Sequence, residues 1–275
     1  MKKLFIFAAA LLLLLASCTN INSKEGLDCK GGEIIDGKCI LSKDKNVNLF
    51  TQDLSSVKTE EAEHGFLAEP ISDGKYPGII MIHEWWGLND NIKQMAKILA
   101  KEGYAVYAVD LYDGQVATDS ETAGKLASEV RANPDKAIKT MKEALKFLSV
   151  RDNINLKFAS LGWCFGGGQS LQLAINEDLD AAVIYYGQLT NDTNKLSMME
   201  SPVLGIFGEE DRSIPVASVR EFETNLNALN IENDIYIYPE VGHAFANPTG
   251  ANYGAEQTID AWGKTVEFLN KNLKE

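Results

Sequence analysis

Short apolar runs alternate along this chain with stretches of helical periodicity, and that alternation restricts the fold more than any other feature. The runs occupy 78–83 (GIIMIH), 104–110 (YAVYAVD), 156–161 (LKFASL), 181–186 (AAVIYY), 203–208 (VLGIFG) and 234–238 (DIYIY). A strand with one wet face alternates apolar and polar residues, whereas a strand covered on both faces is apolar throughout. Most of these runs are of the second kind. The stretches at 91–102, 120–132, 134–150, 166–176, 216–230 and 254–273 supply the helices between them. Strand and helix in alternation predict an α/β fold with a mostly parallel sheet covered by helices on both faces. Pro134 suits the first turn of a helix capped by Asn133, and Pro202 halts its segment just before a strand.

The N-terminus reads differently. Residues 1–17 carry a lysine pair and an apolar run from Phe5 to Ala16, too short for a spanning helix of about 20 residues. This is the pattern of a signal peptide for export. Leu15-Ala16-Ser17-Cys18 resembles the bacterial lipobox, which implies cleavage before Cys18, lipidation of its thiol and anchoring to a bacterial membrane at a periplasmic or cell-surface face. Outside the cytoplasm disulfides persist, so Cys29 and Cys39, flanking a Gly/Asp-rich segment, are expected to close a small loop. Two thiols without a nearby histidine supply too few ligands for a closed zinc site, and no metal or cofactor is expected. Residues 18–63 are polar and read as a tether; 64–275 form one domain with a single core. The formal charge of −13 disfavours nucleic acid as a partner and leaves the lipid as the expected membrane contact. A monomer is the favoured oligomeric state.

At the junction of the 156–161 strand and the 166–176 helix stands Gly162-Trp163-Cys164-Phe165-Gly166. The G-x-nucleophile-x-G pattern marks a tight strand-to-helix turn, where small flanking residues let strand and helix approach and the nucleophile is held in strained geometry. The elbow is similar to that of α/β hydrolases, in which nucleophile, acid and histidine follow in that order. Of the three histidines only His243 lies in the right place, in a glycine-containing loop after a strand. The acid is expected after the 203–208 strand, where Glu209, Glu210 and Asp211 crowd together. Asp211 is preferred for its short side chain and the Asp211-Arg212-Ser213-Ile214-Pro215 turn, with Glu210 as the alternative. Phe165 is expected to give one oxyanion-binding amide, and the loop His83-Glu84-Trp85-Trp86-Gly87 a second. Burial of Glu84 against the two tryptophans would raise its pKa and let it share a proton with a nearby thiol.

Taken in order, His83-Glu84-Trp85-Trp86-Gly87-Leu88-Asn89, Asp110-Leu111-Tyr112, the elbow, Asp211 and Gly242-His243-Ala244-Phe245 make the region from His64 onward resemble the dienelactone hydrolase family of α/β hydrolases. The resemblance implies an α/β-hydrolase fold, Cys164 as nucleophile, His243 as base, Asp211 as orienting acid, and the amides of Trp85 and Phe165 as the oxyanion hole. It also implies that Glu84 interacts with the resting thiol and helps to deprotonate it. The family's founding enzyme grips its substrate carboxylate with two arginines. This chain has Asp113-Gly114-Gln115 and Asn247 at those places, with Arg212 as a partial substitute. The expected activity is therefore hydrolysis of small carboxylic esters or lactones through an acyl-enzyme, in a pocket shaped by Trp86, Tyr112 and Phe245. A thioesterase, a peptidase or a non-catalytic binding protein on the same fold are the alternatives.

Overall fold

A computed structural model describes residues 49–274 and, before them, the backbone of two short antiparallel strands, Gly32–Ile35 (β1) and Lys38–Leu41 (β2). The expected signal peptide, Cys18, and the side chains of Cys29 and Cys39 lie outside the described residues.

From residue 49 onward the chain builds an eight-stranded sheet from Val57–Ala62 (β3), Gly65–Pro70 (β4), Tyr76–Ile82 (β5), Ala105–Val109 (β6), Ile154–Trp163 (β7), Ala181–Tyr185 (β8), Val203–Gly208 (β9) and Asn233–Tyr238 (β10). Their order is β10-β9-β8-β7-β5-β6-β4-β3. The six strands from β10 to β6 run parallel, and β4 and β3 add an antiparallel edge. The helices are Asp90–Lys101 (α1), Ser120–Ala132 (α2), Pro134–Ser149 (α3), Phe165–Asn176 (α4), the single turn Thr193–Leu196 (α5), Val216–Ala228 (α6) and Ala255–Leu273 (α7).

Why the strands read as unbroken apolar runs is visible in β5. Ile79 and Met81 face a core built with α1 and α7, while Ile80 and Ile82 face a second core built with α2, α3, α4 and α6. All four are 0 % exposed, so neither face tolerates a polar residue. Helix α1 starts where Asn89 accepts a hydrogen bond from the Ile92 N–H, a side-chain N-cap. Asn133, expected to cap α3 in the same way, makes no side-chain cap. Its backbone N–H closes α2 on the Val130 carbonyl, and the pre-set φ of Pro134 begins α3 unaided.

Two strands escape the sequence reading. The segment 57–62 was expected as tether but pairs with β4 residue for residue, so the sheet begins before His64. Its side chains are mostly exposed, as suits a charged edge strand that discourages further pairing. Strand β4 is hidden by Glu69, which looks like a surface residue yet is buried, with Lys58, Arg151 and Asn153 around its carboxylate. Among the described residues no helix is long and apolar enough to cross a membrane.

The chain runs from β5 through α1 to β6, then returns through α2 and α3 to β7 on the other side of β5. Connections leaving neighbouring strands in opposite directions open a crevice at their carboxyl ends, the usual place for a ligand in an open α/β sheet. The loop after β5 carries His83 to Trp86, and β7 delivers Cys164.

Candidate active site

The turn from β7 into α4 holds Cys164 at φ 55° and ψ −118°, a conformation that a side chain adopts only under constraint. The constraint is close packing. A Cβ on Gly162 would collide with the Gly166 carbonyl, and one on Gly166 with the carbonyls of Ile82 and His83. Glycine at these two places brings strand and helix together, and the Cys164 N–H bonds to the Tyr185 carbonyl at 3.0 Å. The free thiol is left half-buried at the amino end of α4, where the helix dipole favours negative charge.

His243 arrives from the loop after β10. Its Nε2 lies 3.0 Å from Cys164 Sγ, and its Nδ1 lies 2.7 Å from Asp211 Oδ2. A carboxylate accepts, so Nδ1 carries the proton and Nε2 faces the sulfur. Asp211, whose side chain is 0 % exposed, takes two further bonds on Oδ1, from the backbone N–H groups of Ser213 at 2.7 Å and Ile214 at 3.0 Å. Glu209 and Glu210 are exposed; the Glu210 N–H instead bonds to Val241, sewing the acid loop to the histidine loop. Burial alone would raise the Asp211 carboxyl, but the bonds from His243 and the two amides outweigh it and hold the group below its usual range. Burial would likewise lower His243, yet its bonds to Asp211 and Cys164 push it up to about 10.

Glu84 is 3 % exposed and lines the same cleft as Cys164. Desolvation raises its carboxyl to about 7, against smaller opposing effects of Asn247 and His243. The hydrogen bond it makes is with Asn247, whose Nδ2 donates to Oε2 at 2.5 Å; no bond joins Glu84 to the thiol. Asn247 is itself oriented, its Oδ1 accepting from the N–H and hydroxyl of Thr249. Among the described residues the backbone N–H groups of Trp85 and Phe165 donate to no protein acceptor. Phe165 N–H belongs to the open first turn of α4.

The cleft above Cys164 has a volume of about 830 Å³. Trp86 lines it, but the other two residues expected there do not. Tyr112 is 3 % exposed, drawn inward because Asp110 accepts the backbone N–H groups of Tyr112 and Gly114, and its ring packs against His83 and Phe165. Phe245 is 0 % exposed; Ala244, at φ 62°, turns the chain so that the ring goes under the site against Tyr186 and Tyr238. Arg212 lines a separate surface hollow. The cations on the cleft wall are instead Arg131, at the carboxyl end of α2 with its guanidinium 5.7 Å from the Phe165 ring centroid, and Lys195. Neither has a carboxylate partner among the described residues, whereas Arg151 and Arg220 do. The sequence reading passed over Arg131, although it is one of only four arginines in an acidic chain. Among the described residues no group of His, Cys, Asp or Glu side chains is arranged to hold a metal ion.

Residues 64–273 match the Dienelactone hydrolase family. The chain is 32% identical over 220 residues to "Protein usf" of Aquifex pyrophilus, covering 76% of this chain and 93% of that one. It is 30% identical over 213 residues to a protein of Escherichia coli strain K12 named "Putative carboxymethylenebutenolidase", covering 73% and 79% respectively. Among solved structures, a dienelactone hydrolase-like promiscuous phosphotriesterase, P91, from metagenomic libraries superposes with a TM-score of 0.74 at 20% identity, over 79% of this chain and 99% of its own. A crystal structure described as a "Putative Dienelactone Hydrolase" from Klebsiella pneumoniae superposes with a TM-score of 0.66 at 25% identity, over 78% of this chain and 99% of its own. With the fold, the extent of the match and the identities in agreement, the chain belongs to the dienelactone hydrolase family of hydrolases.

Proposed function

We propose that the protein hydrolyses small carboxylic esters or lactones by acyl transfer through Cys164, with His243 as acid and base and Asp211 as the group that orients it. The observation that carries this reading is the continuous set of contacts from Sγ through the imidazole to a buried carboxylate, at 3.0 and 2.7 Å. The raised imidazole supports transfer of the thiol proton to Nε2, giving a thiolate at the amino end of α4. The thiolate attacks the ester carbonyl, and the carbonyl oxygen becomes an oxyanion held by the Trp85 and Phe165 N–H groups. Collapse breaks the carbon–oxygen bond, and the leaving alkoxide takes the proton from Nε2. Neutral His243 then removes a proton from water as it attacks the thioester, and collapse expels the Cys164 thiolate with the acid as second product. Glu84, its desolvated carboxyl raised to about 7 and joined to Asn247, is about half protonated at pH 7, which lessens the second negative charge in the cleft of the thiolate.

The relatives named carboxymethylenebutenolidases support an ester or lactone substrate. The cations Arg131 and Lys195 line the cleft of a chain that lacks the founding enzyme's two arginines, and they supply positive charge for a substrate carboxylate. Export and attachment through a lipid on Cys18 complete the proposal, on the signal pattern alone. Hydrolysis of p-nitrophenyl acetate by residues 49–275 tests the catalytic part. Cys164→Ala should abolish it, and a variant as active as the parent would refute the assignment.

A further inference from the structure

His83 takes no part in the thiol, imidazole and carboxylate contacts and is 0 % exposed. A histidine buried so completely requires partners for both ring nitrogens, and it has them. The Glu84 carbonyl can only accept, so Nδ1, 2.5 Å away, carries the proton. The Leu111 N–H can only donate, so Nε2, at 3.2 Å, is bare. Both partners demand the same neutral tautomer. Tyr112 meets the ring edge-on at 4.6 Å and Phe165 lies stacked at 5.8 Å between centroids, so the imidazole is held in rotation as well.

The carbonyl that His83 grips shares a peptide unit with the Trp85 N–H. That unit is planar and trans, so the N–H points away from the carbonyl and from the imidazole that holds it. Trp85 lies beyond the last residue of β5, in a loop with no ladder to orient its amide. Its N–H is without a protein acceptor among the described residues, and Trp85 lines the same cleft as Cys164. We propose that His83 is a positioning residue: its bond to the Glu84 carbonyl sets the plane of the Glu84–Trp85 peptide and so aims the Trp85 N–H, while its bond from Leu111 ties that peptide to the end of β6. The proposal rests on the reading that Trp85 N–H is an oxyanion donor. The Gly87 N–H also donates to the Glu84 carbonyl, at 3.2 Å, so loss of His83 loosens the peptide plane without freeing it.

Two substitutions separate bonding from bulk. His83→Phe keeps a flat ring and loses both bonds; His83→Gln can donate through Nε2 to Glu84 and accept through Oε1 from Leu111. Removing an oxyanion donor outright costs roughly 100- to 1,000-fold in kcat, so a loosened one in His83→Phe should cost about 10- to 100-fold, with KM within about twofold. His83→Gln should recover most of the loss. Affinity for a trifluoromethyl ketone, whose adduct with the thiolate carries an oxyanion, should fall by the same factor as kcat. Read as protection of Cys164 from alkylation, that affinity needs no turnover and tests the donor even where ester hydrolysis is absent. Should His83→Phe not accumulate as folded protein, His83→Leu replaces it with the same expectations. Equal losses in the non-bonding and glutamine variants, a change confined to KM, or unaltered kcat and ketone affinity in the non-bonding variant would each overturn the proposal. Undiminished turnover in Cys164→Ala would instead overturn the catalytic reading, a result distinguishable from all of these.

Discussion

Glu84→Gln offers a quantitative test of the electrostatics beside the thiol. The carboxyl is almost wholly desolvated, and burial displaces its pKa from the usual 4.5 to about 7. Between those values the folded protein holds a proton that the unfolded chain has released, so stability falls as pH rises through that window. The contribution is fully present below pH 4.5 and lost above pH 7. At about 1.4 kcal/mol per pH unit the displacement amounts to about 3 kcal/mol. Glutamine keeps the acceptor for Asn247 Nδ2 and does not titrate. The stability of Glu84→Gln relative to the parent should therefore rise by about 3 kcal/mol between pH 4.5 and pH 8, on top of any constant offset from the amide itself. Urea unfolding at half-unit pH steps measures this, and by the usual scaling for a domain of this size the melting temperatures should diverge by roughly 6–12 °C over the same range. The slope from His243 is common to both proteins and largely cancels in the difference. A difference that stays flat from pH 4.5 to 8, or that falls, would refute the assignment of a raised, uncompensated carboxyl at this position.

Asp211→Asn should lower kcat about 1,000- to 10,000-fold, because an amide cannot stabilise the imidazolium or fix its tautomer; steady-state esterolysis with a control for folding checks it. Arg131→Ala should raise KM about tenfold for esters carrying a carboxylate and leave neutral esters of equal size unchanged, as expected for a charge-assisted contact at a partly wet wall. Equal effects on both substrates would remove Arg131 from recognition. Gly166→Ala places a Cβ against the Ile82 and His83 carbonyls and should destabilise the fold by about 3 kcal/mol, measured by urea unfolding.

The layout of the sheet was legible in the sequence because burial on both faces leaves continuous apolar runs, as in Ile79 to Ile82. The elbow was legible because its pattern is confined to five residues, with Gly162 answering to the Gly166 carbonyl within the same turn, although the carbonyls that demand glycine at 166 belong to Ile82 and His83 far along the chain. What stayed hidden depends on long-range pairing. Strand β4 is disguised by Glu69, which is tolerated only because Lys58, Arg151 and Asn153 reach it from elsewhere in the chain. Tyr112 and Phe245 resemble pocket aromatics by position, yet local turns fold both rings into the interior. Asn247 was visible only as a lost arginine; its bond to Glu84, 163 residues away, is a product of the fold. His83 carried a usable signal, since a histidine ending a buried apolar strand must satisfy two nitrogens without water.

The most direct test of the proposed chemistry is the intact mass of the wild-type protein quenched in acid during turnover of p-nitrophenyl pivalate, whose bulky acyl group slows hydrolysis of the thioester. One added acyl group per protein, mapped by peptide digestion to Cys164, is the predicted result. Sustained turnover with the protein unmodified, or with the acyl group on another residue, would contradict it.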